Sequence, residues 1–248
     1  MEHLTSLKNP KIQLWKSLKD RKGRRETGCF LVEGRKMVEE ALKSSFPVEA
    51  VLADAARLEQ LALPEDIPVY AMPEHVLAAV CDTKTPQGIA AVVRITDAPA
   101  SGTKIVVLDG VQDPGNVGTI IRTADAAGLD GVMLSGQCAD LFSPKVLRAT
   151  MGSVFRMGVR VTDDLPGELT KMKREGFSVI SSQLDGTPFY EREAVGEKFC
   201  LVIGSEGNGV TPEVQAVATH RVKLPMRGGA ESLNAAVAAG IMMYELMR

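Results

Sequence analysis

Five polar residues in the second half of a 248-residue chain have the types and spacing to do chemistry. Asn116 and Arg122 stand on either side of a helix start, after the turn Asp109-Gly110-Val111-Gln112-Asp113-Pro114-Gly115-Asn116. Glu206 is the single acid of the turn Gly204-Ser205-Glu206-Gly207-Asn208-Gly209. Ser232 and Asn234 precede the apolar run that closes the chain. A carboxylate accepts hydrogen bonds, a guanidinium donates them and an amide does both. Such a set can orient a ligand and stabilise developing charge. Each residue also has a plain structural reading. Asn116 can be a helix N-cap, Arg122 a solvated cation, Glu206 an exposed turn residue and Ser232 the cap of the last helix. Residues 116 and 122 are not neighbours on an ideal helix surface, because contacts there join positions three or four apart.

The elements that must position these residues read as a run of short strands and helices. Ile105–Leu108 and Phe199–Ile203 are continuous apolar runs of strand length, suited to strands buried on both faces. Each leads into a glycine-containing turn, as does Val222–Leu224, and open α/β sheets bind ligands at such strand ends. A helix over Val117–Ala127, ended by Gly128, and one over Ser143–Thr150, with Ser143 as N-cap and Pro144 at its first position, fit between strands. Further strands are expected at Val132–Leu134, Phe155–Val161 and Ser178–Ser181, and helices at Leu169–Glu175 and Pro212–Ala218. Strand and helix alternation with short loops predicts a mostly parallel, doubly wound sheet. The final helix carries Leu233, Val237, Ile241 and Tyr244 on one stripe, expected to pack against the sheet.

Upstream, strands at Cys29–Val32, Ala50–Leu52, Val69–Ala71 and Ile89–Ile95 alternate with helices at Gly34–Lys43, Ala55–Leu61 and Glu74–Val80. This is a small α/β domain over 1–96. Thr96-Asp97-Ala98-Pro99-Ala100-Ser101-Gly102 has linker composition, so 97–103 is the expected boundary and 104–248 the second domain.

Composition is that of a soluble globular protein, and a net charge of −2 gives no global nucleic-acid signal. The cations are clustered: Lys8, Lys11, Lys16, Lys19, Arg21, Lys22, Arg24, Arg25, Arg35 and Lys36 face only Asp20, Glu26 and Glu33 within the segment Lys8–Lys36. The rest of the chain is therefore acidic. Such a segment is either a solvated face or a contact surface for a phosphate backbone, with salt-sensitive binding. Trp15 suits a core place better than a base-stacking one. Four separated cysteines without a CxxC pair suit a reducing compartment. No apolar signal region opens the chain, and no apolar run is long enough to span a bilayer.

Several familiar chemistries are missing. No GxGxxG follows the first strand of the second domain, no GxxxxGK[ST] loop occurs, and GxSxG is absent. His3, His75 and His220 have no ligand spacing, so no metal is expected. Glycine loops without phosphate-cradling features point to a ligand with little or no phosphate.

In combination the motifs are specific. N-x-G-x-x-x-R at Asn116–Gly118–Arg122, I-G-S-E-G-x-G at Ile203–Gly209 and L-P-M…S-L-N-A-A-V-A at Leu224–Ala238 closely resemble the SpoU (TrmH-like) branch of the SPOUT RNA methyltransferases. Gly28–Leu42, GCFLVEGRKMVEEAL, is similar to the L30e-like substrate-binding domain often joined to them. The resemblance implies a deep C-terminal trefoil knot, a homodimer whose partner the final stripe would also touch, S-adenosylmethionine as donor and methyl transfer to a ribose 2′-hydroxyl, while the separated cysteines fit a cytoplasmic protein. Ribosomal RNA is the first expectation for the substrate and transfer RNA the second. By the family's pattern Asn116, Arg122, Glu206, Ser232 and Asn234 are catalytic positions, while Gly204, Leu224 and Leu233 line the donor pocket. The resemblance offers Arg122 as the base; its high intrinsic pKa is awkward for that role, so the preferred expectation is that it binds the adjacent phosphate or steadies the developing alkoxide. A non-catalytic RNA-binding protein would not need the glycine loops, and a dinucleotide-dependent oxidoreductase would need the missing fingerprint.

Overall fold

The computed structural model describes residues 1–60, 65–96 and 101–248. Its elements in chain order are β1 (Glu2–His3), α1 (Pro10–Ser17), α2 (Arg21–Thr27), β2 (Cys29–Glu33), α3 (Arg35–Lys43), β3 (Val48–Asp54), β4 (Val69–Met72), α4 (Glu74–Val80) and β5 (Ile89–Arg94). They continue with β6 (Lys104–Asp109), α5 (Pro114–Ala127), β7 (Gly131–Ser135), α6 (Pro144–Thr150), β8 (Gly158–Thr162), α7 (Leu165–Arg174) and β9 (Ser178–Pro188). The last four are β10 (Phe199–Gly204), α8 (Pro212–Val217), β11 (His220–Lys223) and α9 (Ala235–Leu246). Two compact units result, Met1–Thr96 with Phe142–Phe155, and Asp97–Leu141 with Arg156–Arg248. Of the expected linker at 97–103, residues 97–100 lie outside the described residues.

In the first unit five strands lie in the order β1-β4-β3-β5-β2. β1, β4 and β3 run parallel, while β5 is antiparallel to both β3 and β2. One face packs on Ile12, Trp15, Leu18 and Leu77. Trp15 is a core residue, set edge-on to Tyr70 at 4.9 Å between ring centres. On the other side fully buried Phe30 stacks on Phe142 at 4.7 Å, with Phe46 and Phe155 completing the cluster. That aromatic contact is why the segment carrying α6 groups with this unit. Residues Ala55–Gln60 form a 3-10 turn where the sequence pattern predicts an α-helix over Ala55–Leu61, and Leu61 lies outside the described residues. The Asp54 carboxylate accepts from the Ala56 N–H at 3.1 Å, a local bond that competes with the helical ladder.

The second unit is built on six strands in the order β11-β9-β10-β6-β7-β8, all parallel. β6 and β10 are central and almost wholly buried, which is what their unbroken apolar sequences require. Their register sets Asp109 opposite Gly204.

Some boundaries differ from the expected ones. β8 starts at Gly158 rather than Phe155, because Phe155 ends a 3-10 turn and is committed to the Phe30 cluster. α7 starts at Leu165, where Asp164 caps the Gly167 N–H at 3.0 Å. β9 runs on to Pro188 because β11 pairs with both of its ends, Ile180–Ser181 and Thr187–Pro188, across an irregularity. The final helix is a correction. Leu233, Val237, Ile241 and Tyr244 are exposed, and the buried face is Ala235, Ala236, Ala239, Met242 and Met243. That helix is apolar almost all round, so periodicity alone does not say which stripe faces inward.

Candidate functional site

The site grows from the C-terminal ends of β6 and β10. After β6 the chain turns through Gly110, whose φ of 69° is the left-handed region open to glycine. Its N–H donates to Ser135 Oγ at 2.9 Å. α5 then begins at Pro114, three residues earlier than the apolar pattern predicts. Asp113 is the cap and accepts from the Asn116 N–H at 2.8 Å. Asn116 is thus inside the first turn, and its side chain is released from capping.

That side chain is 9% exposed and bonded on both sides. Its Nδ2 donates to Glu206 Oε1, and its Oδ1 accepts from Asn234 Nδ2 at 2.9 Å. Asn234, rather than Ser232, caps α9, its Oδ1 accepting from the N–H groups of Ala236 and Val237 at 2.9 and 3.2 Å. The polarity of this chain of bonds is determined at one end. Glu206 as a carboxylate only accepts, so Asn116 must turn its NH₂ that way and its oxygen towards Asn234. Asn234 in turn must aim its oxygen at the helix N–H groups. Residues 90 and 118 positions away in sequence are therefore joined to Asn116 by one directed hydrogen-bond relay.

Arg122 and Ser232 are outside the relay. Both are exposed, and neither side chain hydrogen-bonds or ion-pairs with a described residue. The Arg122 guanidinium is therefore available to an anion from solution. Gly204 ends β10, half-exposed Leu224 follows β11, and Leu233, 39% exposed, precedes α9. Gly204 and Leu224 sit at or just past the C-terminal ends of parallel strands, where ligands of open sheets are held. A Cβ added at Gly207, Gly209, Gly228 or Gly229 would meet nothing within 4 Å, so both loops show bare backbone to open space. Residues that sequence reasoning missed are Asp113, Asp109 and Thr211. Asp113-Pro114 carries the same cap-then-proline signal that places Ser143-Pro144, and would have found the helix start.

The basic segment is less uniform than its sequence. Arg24 is buried and donates to the carbonyls of Leu18 and Lys19 at 2.7 and 2.8 Å, so it holds α2 in place instead of facing solvent. The Glu2 carboxylate bonded to Lys11 at 2.7 Å raises the Lys11 ammonium above its usual range, with Tyr70 adding to the effect. Lys8, Lys16, Lys22, Arg25 and Lys36 remain exposed. Among the described residues no group of three His, Cys, Asp or Glu is placed to hold a metal, and no helix is long and apolar enough to cross a membrane.

Comparison with known proteins places the chain that carries this relay among RNA methyltransferases. It belongs to the SpoU rRNA Methylase family, which matches residues 103–244, and residues 9–91 match the MRM3-like substrate binding domain. Among individual relatives, it is 41% identical over 251 residues to the 23S rRNA (guanosine(2553)-2′-O)-methyltransferase RlmP of Bacillus subtilis, with 99% of each chain covered. The AdoMet-bound rRNA methyltransferase of Sinorhizobium meliloti superposes with a TM-score of 0.87 at 33% identity, covering 99% of this chain and 97% of that one. The AdoMet complex of the SpoU methyltransferase AviRb from Streptomyces viridochromogenes gives 0.83 at 27% identity, with 97% of each covered.

Proposed function

We propose that this chain transfers the methyl group of S-adenosylmethionine to a ribose 2′-hydroxyl of ribosomal RNA. The observation that carries this reading is the Glu206–Asn116–Asn234 relay, which draws the three motifs of the family into one place. Support for the ribosomal substrate comes from the relative that modifies 23S rRNA. The sequence segments 1–96 and 104–248 are read as the RNA-binding and the methyl-transferring parts, with Phe142–Phe155 of the second segment grouped with the first in the fold.

When bound, S-adenosylmethionine supplies an electrophilic methyl on a positively charged sulfur. Gly204, Leu224 and Leu233 would hold it, two apolar side chains and bare backbone taking the adenine. The residues of the chain do the rest by positioning and electrostatics. Arg122, unpaired and exposed, binds the phosphate beside the acceptor or steadies the developing alkoxide as the 2′-hydroxyl proton passes to solvent water. Ser232, also unpaired, orients the nucleotide. Asn116 shares that task and, with Glu206 and Asn234, keeps the loops in register. Exposed Lys16, Lys22, Arg25 and Lys36 give the first unit its phosphate-backbone surface. The exposed stripe of Leu233, Val237, Ile241 and Tyr244 is the contact face of a homodimer, and a monomeric mass in sedimentation would remove that part. A C-terminal trefoil knot and a cytoplasmic location complete the proposal.

The test is methylation of ribosomal RNA from cells lacking the gene, with labelled donor and nucleotide mapping. One 2′-O-methylated ribosomal nucleotide is expected. Label on transfer RNA alone would overturn the choice of substrate, and no transfer to any RNA would overturn the activity.

A further inference from the structure

Asp109 lies outside every motif that names the site, yet it is 2% exposed and has no cationic partner among the described residues. A buried carboxylate is costly unless its hydrogen bonds are supplied. Here one residue supplies them. Asp109 Oδ2 accepts from the Thr211 N–H at 2.7 Å and from the Thr211 hydroxyl at 2.8 Å. Thr211 is the N-cap of α8, where a threonine hydroxyl ordinarily accepts from the helix's own free N–H groups. Its side chain makes no such cap bond, because the hydroxyl has been turned to Asp109. The helix end gives up a bond so that the loop before it can be tied down.

The loop so tied is the one that carries Glu206. Asp109 faces Gly204 across the β6/β10 pairing, at the loop's start, and grips Thr211 just after its end. Between these two points the turn closes on itself through reciprocal Ser205 and Gly209 backbone bonds of 3.0 and 2.9 Å. Both feet of the turn therefore stand on one residue. We propose that Asp109 is a positioning residue for methyl transfer: through Thr211 it sets the height of the Gly204–Gly209 turn and so the reach of Glu206 to Asn116. The inference rests on the methyltransferase reading for its kinetic consequence but not for its geometry.

The test compares Thr211→Val, which loses the hydroxyl bond, with Thr211→Ser, which keeps it, in the full chain. Hydrogen exchange is read at the amides of 205–210 beside methyl-transfer kinetics. Exchange there is expected to speed at least tenfold in T211V, with kcat down about tenfold, KM for RNA unchanged and T211S close to the parent. Unchanged exchange in T211V would overturn the proposal, as would loosened exchange with normal kcat. Equal losses in T211V and T211S would make Thr211 a plain structural residue and overturn it too. If the parent protein transfers no methyl, the functional reading fails, while the exchange arm still decides whether Asp109 holds the turn.

Discussion

The two glycine loops that wall the candidate donor pocket are built in opposite ways. The turn at Gly204–Gly209 is closed by its own backbone bonds, with the Asn208 N–H on Ser205 Oγ at 3.2 Å as a further brace. The stretch 225–233 makes no hydrogen bond to a described residue, and everything from Arg227 to Leu233 is exposed. One wall is formed before any ligand arrives, and the other has nothing of its own to hold it. Fixing loop residues costs roughly 1–2 kcal/mol each in backbone entropy. A ligand on this pair of walls would find the first already ordered and would have to order the second.

The sharpest way to break this contrast is Gly204→Ala. A Cβ there would lie 2.0 Å from the Gly209 carbonyl carbon, which is backbone and cannot swing aside. Overpacking of that kind is expected to cost about 3 kcal/mol, a fall in Tm of roughly 6–12 °C for a chain of this size, with donor binding lost in calorimetry. An unchanged Tm would mean the first wall is not rigid. Arg122→Ala should separate chemistry from architecture. Turnover is expected to drop about 10²–10³-fold while stability stays within about 0.5 kcal/mol, and near-normal turnover would end both roles offered for Arg122.

Gly228→Ala probes the other wall. Its added methyl meets nothing within 4 Å and its φ is not left-handed, so stability should hold or rise by about 0.4–1 kcal/mol. In the parent, amides of 227–233 should exchange rapidly without donor and slowly with it; slow exchange in both states would abolish the contrast. The smallest effect lies in the strand that leads to the first wall. Burial pushes the Cys200 thiol up to about 12, from an ordinary value of 9.0. An unfolded chain ionises this thiol first, so its contribution to stability is intact below the ordinary thiol range and is lost as pH rises towards 12. Cys200→Ala should flatten that part of the Tm profile, although buried Cys81, also pushed to about 12, leaves a second contribution.

How much of this can be read from sequence varies with the physics of each place. β6, β10 and α4 are legible because buried strands and a short amphipathic helix leave strong apolar patterns. β1 is not, since Glu2 and His3 expose both side chains and pair only at a sheet edge. β9 reads short because 182–188 is polar and belongs to the sheet only through β11. In the site, the motifs name Asn116, Glu206 and Asn234, but their union through one amide depends on contacts 90 and 118 residues apart that no local pattern encodes. Asp109 stays hidden for a related reason. It reads as the last letter of a strand, and its importance lies in a threonine 102 positions away.

The return of Phe142–Phe155 to the first unit has a consequence for how the chain can be cut. A fragment starting near residue 104 would carry Phe142 and Phe155 stripped of the Phe30 ring they stack on. The two units are successive in sequence only by approximation. In modular terms the stretch from residue 104 onward is not a detachable cassette: it lends fourteen residues, Phe142–Phe155, to its neighbour. A piece of the chain cut at the motif boundaries would leave those residues facing water.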